Sequence, residues 1–230
     1  MVERAKEPSK KRATRRTDVA PSRTPYQKIG GALLAIAGMV ILMGIITAEA
    51  LMPAAANYST SASDISHLGG SDPPNSVIVQ PAATIFDATM ILGGLMIIVG
   101  AYCVYRAFGR LGVTIPTALL GIGALGVGVF PAPTGGVHDL FALLTFFVGG
   151  VAAILAYTVE ASPLRYISVM LGAIPLLILV LMTILGESFG LLAFLGAGGA
   201  ERWVAYPIVL WLVVFGGYLM GHSPRQPLNT

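Results

Sequence analysis

Six runs of about twenty uninterrupted apolar residues, at roughly 29–52, 82–106, 112–131, 139–159, 164–186 and 203–221, constrain this chain more than any other feature. A hydrocarbon core about 30 Å thick is crossed by about twenty helical residues. Inside lipid every backbone N–H and C=O must be paired within the protein, so only helices or closed barrels span it. The runs are continuous and show no period-two alternation, which selects helices. The expected fold is therefore all-α, a polytopic transmembrane bundle of six helices. Composition agrees: 55% of the 230 residues are hydrophobic and only 11% are charged, where a soluble domain carries about a quarter.

Charge is distributed unevenly. Residues 1–28 hold nine basic and three acidic groups, and the other 202 residues hold five and eight. Lys and Arg flanking spans are retained on the cytoplasmic side. With six spans and an inner amino terminus, thirteen basic residues fall inside and only Arg202 outside, so both termini are expected to be cytoplasmic. The expected location is a membrane, as a multi-pass protein.

Three domains follow: a disordered basic cytoplasmic tail (1–28), a transmembrane domain (29–221) with an outer loop at 53–81, and a short tail (222–230). The first tail has too few apolar residues to order itself and is suited to anionic headgroups. It lacks the interleaved aromatics that stack on bases, which argues against nucleic acid. Membrane lipids are the expected partners, and nothing fixes the oligomeric state. Ala54-Ala55-Ala56 after the first span resembles a signal-peptidase site, but an apolar run of 24 residues exceeds an ordinary signal peptide's core, so the span reads as a retained helix. The apolar segment from Phe189 to Gly198 is too short to cross and is expected to be interfacial or re-entrant.

Helix association in lipid relies on small residues. The third span carries Gly121, Gly123, Gly126 and Gly128, too many for one face, which predicts a central position. Pro116, Pro175 and Pro207 sit inside spans and tend to kink them.

An ionisable residue in a span is costly and marks a site by default. Glu49, His67, Asp87, His138, Asp139, Glu187, Glu201 and Arg202 all fall toward the outer ends, while the inner ends carry arginines with Glu160 and His222. The candidate ligand-binding cluster is His67, Asp87, His138, Asp139, Glu201 and Arg202. Asp87, about 28 Å along its helix from Arg106, would pair with Arg202 or serve as a functional carboxylate, and His138-Asp139 would cap a helix start. The leading reading is a membrane protein that binds a lipid headgroup or membrane partner at this outer cluster. Second comes an intramembrane hydrolase for a lipid-like substrate, in its metal-dependent form using His67, His138 and Asp87 as two histidines and a carboxylate; no short H-x-x-x-H spacing supports that set. A transporter reading needs a polar midplane path, for which only Thr145 and Thr183 offer themselves. Phosphate-loop, nucleophile-elbow and H-E-x-x-H motifs are missing. The lone Cys103 provides no thiolate pair. The residues alone do not identify catalytic groups, a cofactor or a metal.

The outer-face residues nevertheless form a pattern. Tyr58-Ser59, Asp64-Ile65-Ser66-His67-Leu68-Gly69, Pro81 through Asp87 running into Gly93-Gly94, Gly128-Val129-Phe130-Pro131 followed by His138, and Glu201-Arg202 resemble the prokaryotic integral membrane family called domain-of-unknown-function family 998. The resemblance covers about residues 29–221 and implies a six-span protein of the prokaryotic plasma membrane with shared polar residues at the outer ends. In outline the chain is also similar, more distantly, to eukaryotic six-span proteins of the Frag1/DRAM/Sfk1 type.

Overall fold

The computed structural model of the chain describes residues 25–186 and 190–221. Residues 1–24, Glu187 and the 222–230 tail, with His222 and Arg225, lie outside the described residues. The elements are α1 (Pro25–Ala50), α2 (Ala82–Phe108), α3 (Leu111–Val129), α4 (Gly136–Leu155), α5 (Leu164–Leu185), the short α6 (Gly190–Leu195) and α7 (Ala197–Gly221). All but α6 are long and apolar enough to cross a bilayer. Residues 25–28 open α1, and α7 begins six residues before its apolar run, so Glu201 and Arg202 stand inside the helix and do not precede it.

The six long helices form a closed ring in which α1 packs on α2, α2 on α3, α3 on α4, α4 on α5, α5 on α7, and α7 back on α1. The ring joins the chain's first and last spans: the Gln27 amide donates to the Leu219 carbonyl at 3.0 Å. Pro25 and Gly221 therefore lie at one face of the bundle, the terminal face, with Lys28, Arg106, Arg110 and Arg165. The opposite face, here the loop face, carries residues 51–81. There Ile65 and Leu68 of a short 3-10 turn are buried in the main core, so the loop plugs that end of the ring. Outward-facing Met43, Leu95, Leu143, Phe147, Leu177 and Ile184 are 48–72% exposed and form the lipid-facing belt. α6 packs on α7, and Leu192 joins Ile178, Ala200 and Val204 in a small second core.

Small residues set the crossings. A Cβ on Gly94 would lie 2.7 Å from the Gly121 carbonyl oxygen across α2–α3, and one on Gly150 would lie 3.0 Å from the Gly172 carbonyl oxygen across α4–α5. No side chain fits at such distances, so these helices touch backbone to backbone. The expected central position of α3 is not what its glycines produce. Gly121 and Gly128 lie against α2, Gly123 and Gly126 against Thr145 and Phe141 of α4, and Ile115 and Ile122 are exposed. Two close neighbours, one per side, account for four glycines without enclosure.

Candidate functional site

At the loop face the first turns of α7 meet the end of α1 and the loop between α1 and α2. Arg202 is 8% exposed. Its Nε and Nη2 donate to Glu49 Oε1 at 3.2 and 2.6 Å, Nη2 to the Tyr58 hydroxyl at 2.5 Å, and Nη1 to the Ser63 and Gly198 carbonyls at 3.0 and 2.7 Å. A guanidinium has five N–H donors, and here all five are engaged. Arg202 thus latches α7 to α1 and to the loop, its charge answered by Glu49. The pairing of Asp87 with Arg202 considered from sequence is not formed; Glu49, one helix over, takes that place.

Neighbouring groups extend the latch. The Ile65 N–H donates to Glu201 Oε2, and the Gly199 N–H to the Ser61 carbonyl at 3.3 Å. The Tyr58 hydroxyl donates to the Asp64 carbonyl at 3.4 Å. Burial pushes the Asp64 carboxyl above the ordinary carboxylate range against the pull of His67, and burial likewise raises the Tyr58 hydroxyl despite Arg202. Both effects follow from removing a group from water.

The remaining candidate residues are dispersed around this centre. His67 Nε2 meets Asp72 Oδ2 at 3.0 Å on the outside of the loop. His138, 4% exposed, has Nδ1 at 2.8 Å from the Phe130 carbonyl; because a carbonyl only accepts, Nδ1 carries the proton. Asp139 is exposed on the first turn of α4. Asp87 keeps Oδ1 buried without a hydrogen-bond partner beneath Gly69, where a Cβ would come within 2.6 Å of it. No three His, Cys, Asp or Glu side chains among the described residues form a group able to hold a metal ion, so His67, Asp87 and His138 are not brought together as a ligand set. The Thr145 and Thr183 hydroxyls donate to carbonyls of their own helices at 2.7 and 2.8 Å.

Two hollows adjoin the latch. An open groove of about 480 Å³ runs down the outside of α7, lined by Thr60, Ser61, Leu195, Gly199, Arg202, Trp203, Tyr206, Pro207 and Leu210. Inside the ring lies a narrow cavity of about 60 Å³ whose loop-side end holds Ser66, His138 and Glu201. Of the groove's polar residues the sequence reading singled out Arg202 alone. Thr60, Ser61 and Tyr206 gave no signal, being ordinary residue types in a loop or a span.

The terminal face has its own buried acid. Glu160 is 3% exposed, and the Ser168 hydroxyl donates to its Oε1 at 2.8 Å while Oε2 has no hydrogen-bond partner. Burial pushes its carboxyl from 4.5 up to about 7, against the Ser168 hydrogen bond and Arg165. A folded value above the unfolded one means the folded state holds the extra proton. The stability Glu160 contributes is whole below pH 4.5 and is lost as pH rises through about 7. Glu160→Gln is expected to flatten this slope by on the order of 1–2 kcal/mol, seen as a thermal midpoint less sensitive to pH than that of the parent in detergent.

Comparison with curated proteins and with solved structures returned no match. A family model does match, over residues 20–218, nearly the whole six-helix unit and the loop-face polar residues that carry the resemblance read from sequence. With more than four-fifths of its length so matched, the chain belongs to the family described as Protein of unknown function (DUF998).

Proposed function

We propose that this protein binds a lipid headgroup at the outer face of the plasma membrane, through the groove on α7. The orientation rests on Lys28, Arg106, Arg110 and Arg165 at the terminal face against a loop face where Arg202 is the one Lys or Arg among the described residues, the asymmetry expected of a cytoplasmic terminal face. The observation that carries the reading is the groove's own polarity. Its loop-face end offers the hydroxyls of Thr60 and Ser61 beside Arg202 and Trp203, the Tyr206 hydroxyl belongs to the next turn, and Pro207 and Leu210 continue the groove as apolar surface. A tryptophan at that level is the usual anchor between headgroups and acyl chains, and Trp203 is 52% exposed. A bilayer lipid fits this gradient with its head among the hydroxyls and one chain down α7. No arrangement of His67, Asp87 and His138 favours the hydrolase reading.

The test uses the protein in nanodiscs with a phospholipid bearing a photoactivatable acyl chain. Labelling is expected to concentrate on the α7 segment containing Trp203 and Leu210. Trp203→Ala with Leu210→Ala is expected to lower it about tenfold, from the lost burial of two large side chains. Labelling spread evenly over all lipid-facing helices, or unchanged by the double substitution, refutes the proposal.

A further inference from the structure

On α2, Leu95, Val99, Tyr102 and Arg106 recur at helical spacing and fall on one face. The first three are 48%, 50% and 52% exposed, and Arg106 is exposed at the end of the row. From Leu95 to Arg106 the row measures about 16 Å, close to half of a hydrocarbon core of about 30 Å. It is a lipid-facing strip one leaflet deep that ends in a cation. Tyr26, Tyr102 and Tyr105 are 36–52% exposed around that end, and tyrosines collect where acyl chains give way to headgroups.

The Arg106 guanidinium is held in place there. Its Cζ lies 4.5 Å from the centroid of the Tyr26 ring, which α1 contributes, and 5.8 Å from that of the Tyr102 ring, a placement in which aromatic faces attract a cation. Nη1 also donates to the Tyr102 hydroxyl at 2.7 Å. A further contact with the Tyr26 hydroxyl leaves three of the five donors for an outside acceptor. These contacts fix the group across the α1–α2 seam and leave its charge unanswered, since no Asp or Glu among the described residues pairs with Arg106. Arg202, by contrast, engages all five donors and meets Glu49. Arg165 lies over the Tyr157 ring at 5.0 Å but has Glu160 as a charge neighbour. Glu160 is the one acid among the described residues of this face, against Lys28, Arg106, Arg110 and Arg165. A planar fork with open donors at headgroup depth matches a phosphate, and a net positive face disfavours the cationic group of a zwitterionic head. We infer that Arg106, seated on Tyr26 and Tyr102, binds the phosphate of an anionic phospholipid whose acyl chain lies along Val99 and Leu95. The site is separate from the groove on α7 and does not depend on which side of the membrane the terminal face occupies.

The test reconstitutes the full chain in bilayers of equal phosphatidylglycerol and phosphatidylcholine, extracts it in mild detergent, washes it in molar NaCl and quantifies the retained lipids by mass spectrometry. At that salt the Debye length is about 3 Å, so only charges in contact still hold an anion. Phosphatidylglycerol is expected to be retained at least about tenfold over phosphatidylcholine, the worth of one hydrogen bond to a charged group. Arg106→Gln is expected to reduce this preference about tenfold, and Arg106→Lys, a charge without the planar fork, to recover only part of it. Lys28→Gln removes a charge from the same face that has no aromatic rest among the described residues, and is expected to change the preference by less than about twofold. Both positions are exposed, so neither substitution is expected to unfold the chain. A preference that Trp203→Ala with Leu210→Ala abolishes and Arg106→Gln leaves intact belongs to the groove and overturns the inference. So does the absence of any enrichment, an equal loss from Lys28→Gln and Arg106→Gln, or release of the lipid by millimolar glycerol 1-phosphate, as from a site for free phosphate.

Discussion

Arg202→Ala is expected to destabilise the folded bundle by about 3–5 kcal/mol, the range for removing one partner of a buried ion pair. The substitution does more than delete a charge. It strands the Glu49 carboxylate, whose side chain is 18% exposed, and leaves the Ser63 and Gly198 carbonyls without their donor. It also loosens the loop from α7, because two of the five donors bind Tyr58 and Ser63 in the loop. Arg202→Lys keeps the charge with three donors and no planar fork, so it is expected to recover only part of the loss. Pairing Arg202→Met with Glu49→Gln removes the stranded charge, and is expected to be less harmful than Arg202→Ala alone. Thermal unfolding in one detergent checks the series. An Arg202→Ala midpoint equal to that of the parent would show that the four bonds to Glu49, Tyr58 and Ser63 do not hold α7 to its neighbours.

Gly216→Val is expected to be as damaging, for a steric reason. Across α1–α7, a Cβ on Gly31 would lie 2.6 Å from the Gly216 carbonyl oxygen, and one on Gly216 would lie 2.9 Å from Ala35 Cβ. The blocking atoms include backbone, which cannot rotate away, so the helices must separate along their length. Overpacking costs about 1–3 kcal/mol where side chains can adjust, and this crossing is expected to exceed that range. Gly217→Val, one residue on, has nothing within 4 Å of the new Cβ and is expected to shift stability by less than about 0.5 kcal/mol. Equal behaviour of the two variants in thermal unfolding would refute the backbone-contact account of this crossing.

Much of this architecture was legible because membrane burial leaves a coarse signal. Twenty apolar residues specify a span whatever its neighbours, and the clustering of basic residues at one set of span ends needs no tertiary knowledge. Which helices touch is another matter. Glu49 and Asp87 are both acids near the loop-face ends of their spans, and no spacing along the chain indicates which one meets Arg202. The glycines of α3 announced close contacts without saying whether they served two neighbours or more. Glu160 and Ser168 are eight residues apart across a turn containing Pro163, where neither helical nor strand periodicity relates them. His138 and Glu201 were legible as unusual, while the hollow between them emerges only when five helices are placed together.

The adjacency of α1 and α7 has a consequence for biogenesis. During synthesis the chain is an open arc, and the side of α1 around Gly31 and Ala35 has no protein against it until Gly216 has left the ribosome. Closing that seam commits every earlier span at once, so truncations that remove only the final helix should leave five inserted segments that quality-control proteases treat as an unassembled protein.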